Sequence, residues 1–223
     1  MSGRRIRRFL VAALLVALAL VAVGIGLQAL EVRRFRQVLL SCEIGSPACG
    51  AEAIARLERR TGAMARGWRF DAETFELLAR AHVVLARHAP DLPGQRARLK
   101  QGLAAIDRAI EARPRWPYAH AARLGILVQL GDLDAASDTA WRNAWRFGPN
   151  EKRVLRALAE AHVAYRAAGR PSPVDPAPML ARLAARDRAF LVGLAVRHGE
   201  RDMLCGPTGV LPADPVCQAD PNR

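Results

Sequence analysis

From Phe9 to Leu30 the chain runs for 22 residues without a charge, and Gln28 is the one clearly polar side chain in that stretch. A helix needs about 20 predominantly apolar residues to cross a hydrocarbon core. Lipid offers no partners for free backbone groups, so a single span must be helical. The run is long enough and apolar enough to cross a bilayer, and it follows an Arg-rich start, Met1-Ser-Gly-Arg-Arg-Ile-Arg-Arg8.

A cleaved signal peptide is the rival reading. Its apolar region is roughly 7–15 residues long and ends in a small-x-small cleavage site. Here the run is longer, Gly24 and Gly26 lie inside it, and Leu27-Gln28-Ala29-Leu30 continues it. The expectation is an uncleaved anchor. Leu39-Leu40-Ser41-Cys42 resembles a lipoprotein cleavage box, but Glu31, Arg33, Arg34 and Arg36 separate it from the apolar run, which argues against lipidation. The span holds no charge that suggests transport, and Gly24 and Gly26 lack the four-residue spacing of a dimer motif. It reads as a tether.

Arg4, Arg5, Arg7 and Arg8 precede the span, while Arg33, Arg34 and Arg36 follow it. The positive-inside rule therefore favours a cytoplasmic N-terminus by a narrow margin. The four cysteines weigh on the same side. Cys42 with Cys49 and Cys205 with Cys217 make two local pairs beyond the span, and disulfides persist in oxidising compartments. Four cysteines allow three connectivities, so local pairing is one choice among them. Neither spacing gives the C-x2-C knuckle of a zinc site. The expected location is a bacterial inner membrane, single-pass, with the body in the periplasm.

Beyond the anchor, roughly 190 residues remain, enough for one domain with a real core. Lys plus Arg is 34 against 21 acids, a net charge of +13, and only Lys100 and Lys152 are lysines. A basic surface attracts nucleic acid, anionic lipid or acidic polysaccharide; an Ala- and Arg-rich composition alone gives the same count. The expected location and the lack of a nucleic-acid-binding motif argue against nucleic acid. If the charge is functional, acidic headgroups or an acidic glycan fit better.

The body reads as all-α. No stretch shows the period-2 alternation of strands. A first helix carries Ala53, Ile54, Leu57 and Met64 and ends near Gly67. Asp71 can cap a second, with Phe75, Leu78, His82 and Leu85 inside. The segment from His88 to Gly94 breaks the chain. Leu99, Leu103, Ile106 and Ile110 make the stripe of a third helix, which stops before Pro114. Pro117 opens a fourth, with Leu124, Leu127 and Val128, ending at Gly131. Asp132 can cap a fifth, running to Phe147, and Asn150 a sixth, with Leu155, Leu158, His162 and Tyr165, ending at Gly169. A linker with Pro171, Pro173, Pro176 and Pro178 precedes a last helix from about Met179 to His198.

Two helix ends share one spelling, Ala109 with Pro114 and Ala144 with Pro149, and Leu124-Gly125 precedes Gly131-Asp132 and Ala136. These features resemble the tetratricopeptide repeat, with a Leu-Gly pair on the first helix, a Gly turn, small residues on the second and a closing Pro. The resemblance implies small residues that let paired helices approach closely. It gives one full repeat, half of another ending at Pro114, and the start of a third after Asn150.

No catalytic constellation emerges. His82, His88, His120, His162 and His198 show neither an H-x3-H pair nor an HExxH helix. His82 and His162 recur in the similar words Leu-Ala-Arg-Ala-His-Val and Leu-Ala-Glu-Ala-His-Val, as equivalent core or groove positions would. There is no GxSxG elbow, Walker loop or GxGxxG turn. Asp71 with Glu73 and Glu76, and Asp132 with Asp134, stand at helix starts, where acids favour the dipole. Neither an enzyme, a metal site nor a cofactor is expected.

The aromatics single out a surface. Trp116 and Tyr118 stand at the entrance to the best repeat. Trp141 and Trp145 are one turn apart and share a helix face, with Arg142 and Arg146 alongside. Core packing is the commoner use of such a pair; the alternative is a partner-docking patch, because Trp, Tyr and Arg dominate interface hot spots.

Arg113-Pro-Arg-Trp-Pro-Tyr-Ala-His120, Gly131-Asp-Leu-Asp134, Trp145-Arg-Phe-Gly-Pro149 and the run from Leu194 to Cys205 resemble the VpsP-type polysaccharide biosynthesis proteins. The tail at Cys217 has no counterpart in that pattern. This resemblance implies a small single-span repeat protein of bacterial exopolysaccharide machinery, and no catalytic set comes with it.

The expected organisation is a cytoplasmic basic tail over 1–8, a transmembrane helix over 9–30 and a juxtamembrane segment over 31–50. A tetratricopeptide-like helical domain over 51–169, a Pro-rich linker over 170–178, a C-terminal helix over 179–199 and a Cys-containing tail over 200–223 follow. The expected function is a membrane-anchored scaffold for a protein partner in exopolysaccharide biosynthesis or export. The alternatives are an accessory protein that binds glycan or anionic lipid, and a repeat adaptor for pilus or cell-division machinery.

Overall fold

The computed structural model describes residues 3–67, 71–200, 202–205 and 217. Met1 and Ser2 of the basic tail, and Pro207, Pro212 and Pro215 of the C-terminal tail, lie outside them. Every regular element among the described residues is helical. The chain divides into two compact units, 1–63 and 64–223.

The first unit is built on α1 (Gly3–Glu43), a helix of 41 residues. It does not stop where the apolar run stops: the segment from 31 is continuous helix to Glu43, because Val32, Phe35, Leu39 and Cys42 carry an apolar stripe onward at helical spacing. The exposure pattern changes along it. Leu10, Leu14, Leu18, Val21 and Leu27 are all exposed, whereas Phe35, Leu39 and Cys42 are buried. By length and composition α1 qualifies to cross a membrane from Leu10 onward. Cys42 and Cys49 are joined across the turn that follows. α2 (Ala51–Gly67) then carries Ala53, Leu57 and Thr61 as its buried face, and Arg60 Nη1 returns to within 3.7 Å of Glu31 Oε2 on α1.

The second unit holds α3 (Ala72–Arg87), α4 (Leu92–Ala112), α5 (Pro117–Leu130), α6 (Ala135–Phe147), α7 (Lys152–Ala167), α8 (Ala177–His198) and α9 (Asp202–Cys205). α3 packs on α4, α5 on α6 and α7 on α8, while α3, α5 and α7 touch in series. The helices therefore form three consecutive hairpins whose first helices make one layer.

Several ends differ from expectation, each for a local reason. Asp132 does not cap α6. Gly131, at φ 80°, ends α5 in the left-handed region, and the Asp132 amide is spent on Leu127 O at 3.0 Å, the closing bond of a Schellman turn. The cap falls to Asp134, whose Oδ1 accepts from Ala136 N at 2.9 Å and Ser137 N at 3.2 Å. Asn150 does not cap α7 either: Glu151 occupies that position without a side-chain cap bond. The break after His88 is shorter than its prolines suggest, since Pro93 and Gly94 already belong to the first turn of α4, where proline's missing N–H costs nothing. Asp91 caps that turn through Gly94 N at 2.7 Å. Pro178 likewise lies in the first turn of α8, which starts at Ala177 and is interrupted at Asp187 (φ −157°, ψ 57°).

Candidate partner-binding surface

The sequence-selected aromatics separate by burial. Trp141 is 2% exposed, with its ring edge-on to Tyr165 at a centroid distance of 5.5 Å. It belongs to the core shared by α5, α6, α7 and α8, together with Leu124, Leu155, Leu158 and Leu183. Burial removes it from any docking patch. Its neighbour Trp145 is half-buried at the edge of the same core, and the Arg182 guanidinium covers its ring at 4.8 Å.

Arg182 also donates to Pro149 O at 3.0 Å, and Arg186 to Asn150 O at 2.9 Å. Two α8 arginines thus tie down the loop between α6 and α7, a contact that the spacing of prolines does not reveal. Arg142 and Arg146 on α6 are exposed, and Arg146 lies 5.6 Å over Phe147. Among the described residues, none of Arg142, Arg146, Arg182 or Arg186 has a carboxylate in ion-pair range.

Trp116 and Tyr118 meet edge to face at 6.4 Å, and Arg113 stacks on Trp116 at 5.0 Å. Tyr118 OH donates to Glu151 Oε2 at 2.6 Å, which raises its pKa above the ordinary tyrosine value, with partial burial adding to the effect. Arg153 lies over the same ring at 5.6 Å and pairs with Glu76 of α3 at 2.8 Å. Glu76, read as a helix-start acid, is a buried ion-pair partner. Asp71 does cap α3, through Thr74 N at 2.8 Å.

His120 and His162 are buried and His82 is partly so, whereas His88 and His198 are exposed. His120 Nε2 is 2.8 Å from Pro114 O, and its ring lies against Phe147. His162 Nδ1 is 2.8 Å from Ser172 Oγ in the Pro-rich linker, and burial lowers its pKa. His82 occupies the matching word on α3 without a matching bond; burial first, then Arg98, lowers its pKa to about 4. Among the described residues, no three His, Cys, Asp or Glu side chains converge as a metal site would require.

Cys205 and Cys217 are joined, with Cα atoms 5.3 Å apart, and both pack at the edge of the core that holds Met203 and Leu204. Asp187, at the interruption of α8, holds Lys152 at 3.3 Å and also pairs with Arg156. Burial opposes its ionisation, but the bonds from Arg156 and Lys152 prevail and hold its pKa below the usual carboxylate value.

Three helical hairpins with serially touching first helices define a protein of the helical-repeat class. A thermophilic TPR (tetratricopeptide-repeat) protein of Thermus thermophilus, known from its crystal structure, is similar, with a TM-score of 0.50 and 23% identity over 81% of this chain and 96% of that one. At that identity the likeness shows the fold: the chain is TPR-like. No family model matches the sequence, and no curated protein matches it.

Proposed function

We propose that this chain is a membrane-anchored helical-repeat scaffold that holds a protein partner of the exopolysaccharide assembly machinery at the periplasmic face of the bacterial inner membrane. The observation that carries the reading is an exposed apolar helix, Leu10 to Leu30, in the same chain as a TPR-like stack. The stack offers a helical surface on which a partner can dock, and the resemblance to the VpsP-type proteins supplies the process. The docking surface in this reading is Trp116, Tyr118, Trp145, Arg142 and Arg146. Photo-cross-linkers at Arg142 and Arg146 in intact membranes test it. Capture of a polysaccharide transferase or export component supports the reading; capture of a pilus or divisome component transfers the scaffold to that machinery.

One observation favours a second reading. Arg142, Arg146, Arg182 and Arg186, which among the described residues have no carboxylate in ion-pair range, give a basic surface suited to an acidic glycan, with Arg142 and Arg146 free of the loop contacts that hold the other two. Salt-sensitive glycan binding by the full chain in detergent, retained in the Trp145→Ala variant and lost in Arg142→Gln/Arg146→Gln, would select it over the protein scaffold.

A further inference from the structure

Glu31 is the first charged residue after the apolar run, and two arginines claim its carboxylate. Arg34 Nη1, one turn on in α1, is 3.4 Å from Oε1, and Arg60 Nη1, arriving from α2, is 3.7 Å from Oε2. The register explains the meeting. Glu31 stands eleven residues before Cys42 and Arg60 eleven after Cys49, and those cysteines are bonded with Cα atoms 4.8 Å apart. At 1.5 Å per residue, α1 rises about 16 Å between Glu31 and Cys42 and α2 about 14 Å between Ala51, where it begins, and Arg60, so the two arms reach nearly the same height. The hairpin folds the second half of α2 back to the height where the apolar run ends.

That height is strongly basic. Residues 31–36 and 56–60 contain six arginines against Glu31 and Glu58. One carboxylate shared by Arg34 and Arg60 cannot neutralise both, and Arg56 turns to Glu52 at 3.2 Å. Arg33 and Arg59 are exposed. Sequence alone places only Arg33, Arg34 and Arg36 at the end of the span; the fold-back adds Arg59 and Arg60 from the next helix.

We propose that the α1–α2 hairpin is a collar for anionic phospholipid headgroups, with Arg33, Arg34, Arg59 and Arg60 as its phosphate ligands and the Cys42–Cys49 bond holding α2 at the bilayer surface. The proposal rests on the anchor reading, which sets the end of the apolar run at the headgroup layer. Guanidinium groups suit the occupant, because their planar fork binds phosphate oxygens in pairs.

The test uses the full chain in neutral detergent, titrated with dioleoylphosphatidylglycerol or dioleoylphosphatidylcholine, with bound lipid read by native mass spectrometry. Preferential retention of the phosphatidylglycerol is expected, with a loss of about fivefold or more in Arg59→Gln/Arg60→Gln and in Arg33→Gln/Arg34→Gln. Lys100→Gln, outside the hairpin, should retain the preference. Cys42→Ser/Cys49→Ser should weaken it severalfold. Equal retention of the two lipids by the wild-type chain, or an unchanged preference in both arginine variants, would overturn the collar. Alkaline carbonate extraction of native membranes separates the two claims: release of the chain overturns the anchor and the collar together, whereas retention leaves the anchor standing and the lipid data to decide the collar.

Discussion

Arg153 Nη2 of α7 lies 2.8 Å from Glu76 Oε1 of α3, although the two helices are separated in the series by α5. The partners are unequal, with Glu76 6% exposed and Arg153 51% exposed. The bridge passes over Tyr118, whose hydroxyl is bound to Glu151, so one side-chain chain ties the start of α5 to both neighbours.

Removing the exposed partner strands the buried one. Arg153→Ala should destabilise the chain by about 1–2 kcal/mol, less than the loss of a fully buried pair because water already screens half of the arginine. Glu76→Leu/Arg153→Ala should recover much of that loss, since no carboxylate then remains buried without a partner. Urea unfolding of both variants measures the difference; equal losses would show that Glu76 is solvated without Arg153.

Much of the helix pattern was legible because apolar periodicity and proline position act locally. Asp71, Pro117 and Gly131 define ends through bonds within a few residues, and the structure keeps them. The caps of α6 and α7 were not legible from residue type alone. Asp132 and Asp134 are chemically alike, and only the backbone path after Gly131 decides which carboxylate faces open amides. The surface was harder to read. Trp141 and Trp145 are one turn apart on an amphipathic helix, and which one enters the core depends on where α7 and α8 pack. The arginines of α8 that clamp the loop from Pro149 to Asn150 reach it from a helix far along the chain, beyond any local signal.

The tryptophan pair should therefore divide sharply under substitution. Trp141→Ala opens a void in a close-packed core and should cost about 3–5 kcal/mol. Trp145→Ala loses a half-buried ring and the Arg182 contact and should cost about 1–2 kcal/mol. Arg142→Ala should fall within about 0.5 kcal/mol of the wild type. Thermal melts of the three variants give the order, and a Trp145→Ala loss matching that of Trp141→Ala would contradict the burial difference.

Both tyrosines of the chain should titrate late. Burial first, and the bond to Asp138, push the Tyr165 phenol up to about 12; the bond to Glu151 raises Tyr118. An acid held protonated in the folded state keeps its full stabilising effect below its unfolded pKa near 10. Stability is then lost as the pH rises toward 12, because the unfolded chain releases protons first. In Tyr118→Phe the phenolate absorbance should show one transition, near pH 12, and a transition near 10 in the folded variant would contradict the Tyr165 environment.

His82 sets the opposite, acidic edge. Its folded pKa of about 4 lies below the ordinary 6.5, so between those values the unfolded chain binds a proton that the folded chain refuses. Stability should fall as the pH drops from 6.5 to 4, with His162 contributing in the same direction. His82→Gln should flatten the slope of melting temperature against pH over that window. An unchanged slope would mean that His82 is hydrated in the folded protein.

The glycines test how the hairpins are held together. The Leu124-Gly125 pair resembles a repeat signature in which a small residue permits close helix approach, yet a Cβ on Gly125 would meet nothing within 4 Å. The close approach is elsewhere. A Cβ on Gly102 of α4 would lie 3.2 Å from Ala79 O and 3.3 Å from His82 Cβ on α3, and one on Gly148 would lie 2.6 Å from Pro117 Cβ. Gly125→Ala should therefore stabilise the chain by about 0.5–1 kcal/mol, the ordinary gain of alanine over glycine inside a helix. Gly148→Ala should destabilise it by about 1–3 kcal/mol through overpacking, because the end of α6 bears directly on the proline that opens α5. Gly102→Ala should fall between them, its sign set by whether α3 can shift a few tenths of an ångström. Urea midpoints in the order Gly125→Ala, Gly102→Ala, Gly148→Ala, from highest to lowest, are the expected result. A destabilised Gly125→Ala would restore the packing role that the repeat spelling implies and would move the tightest contact between α5 and its neighbours back to that helix face.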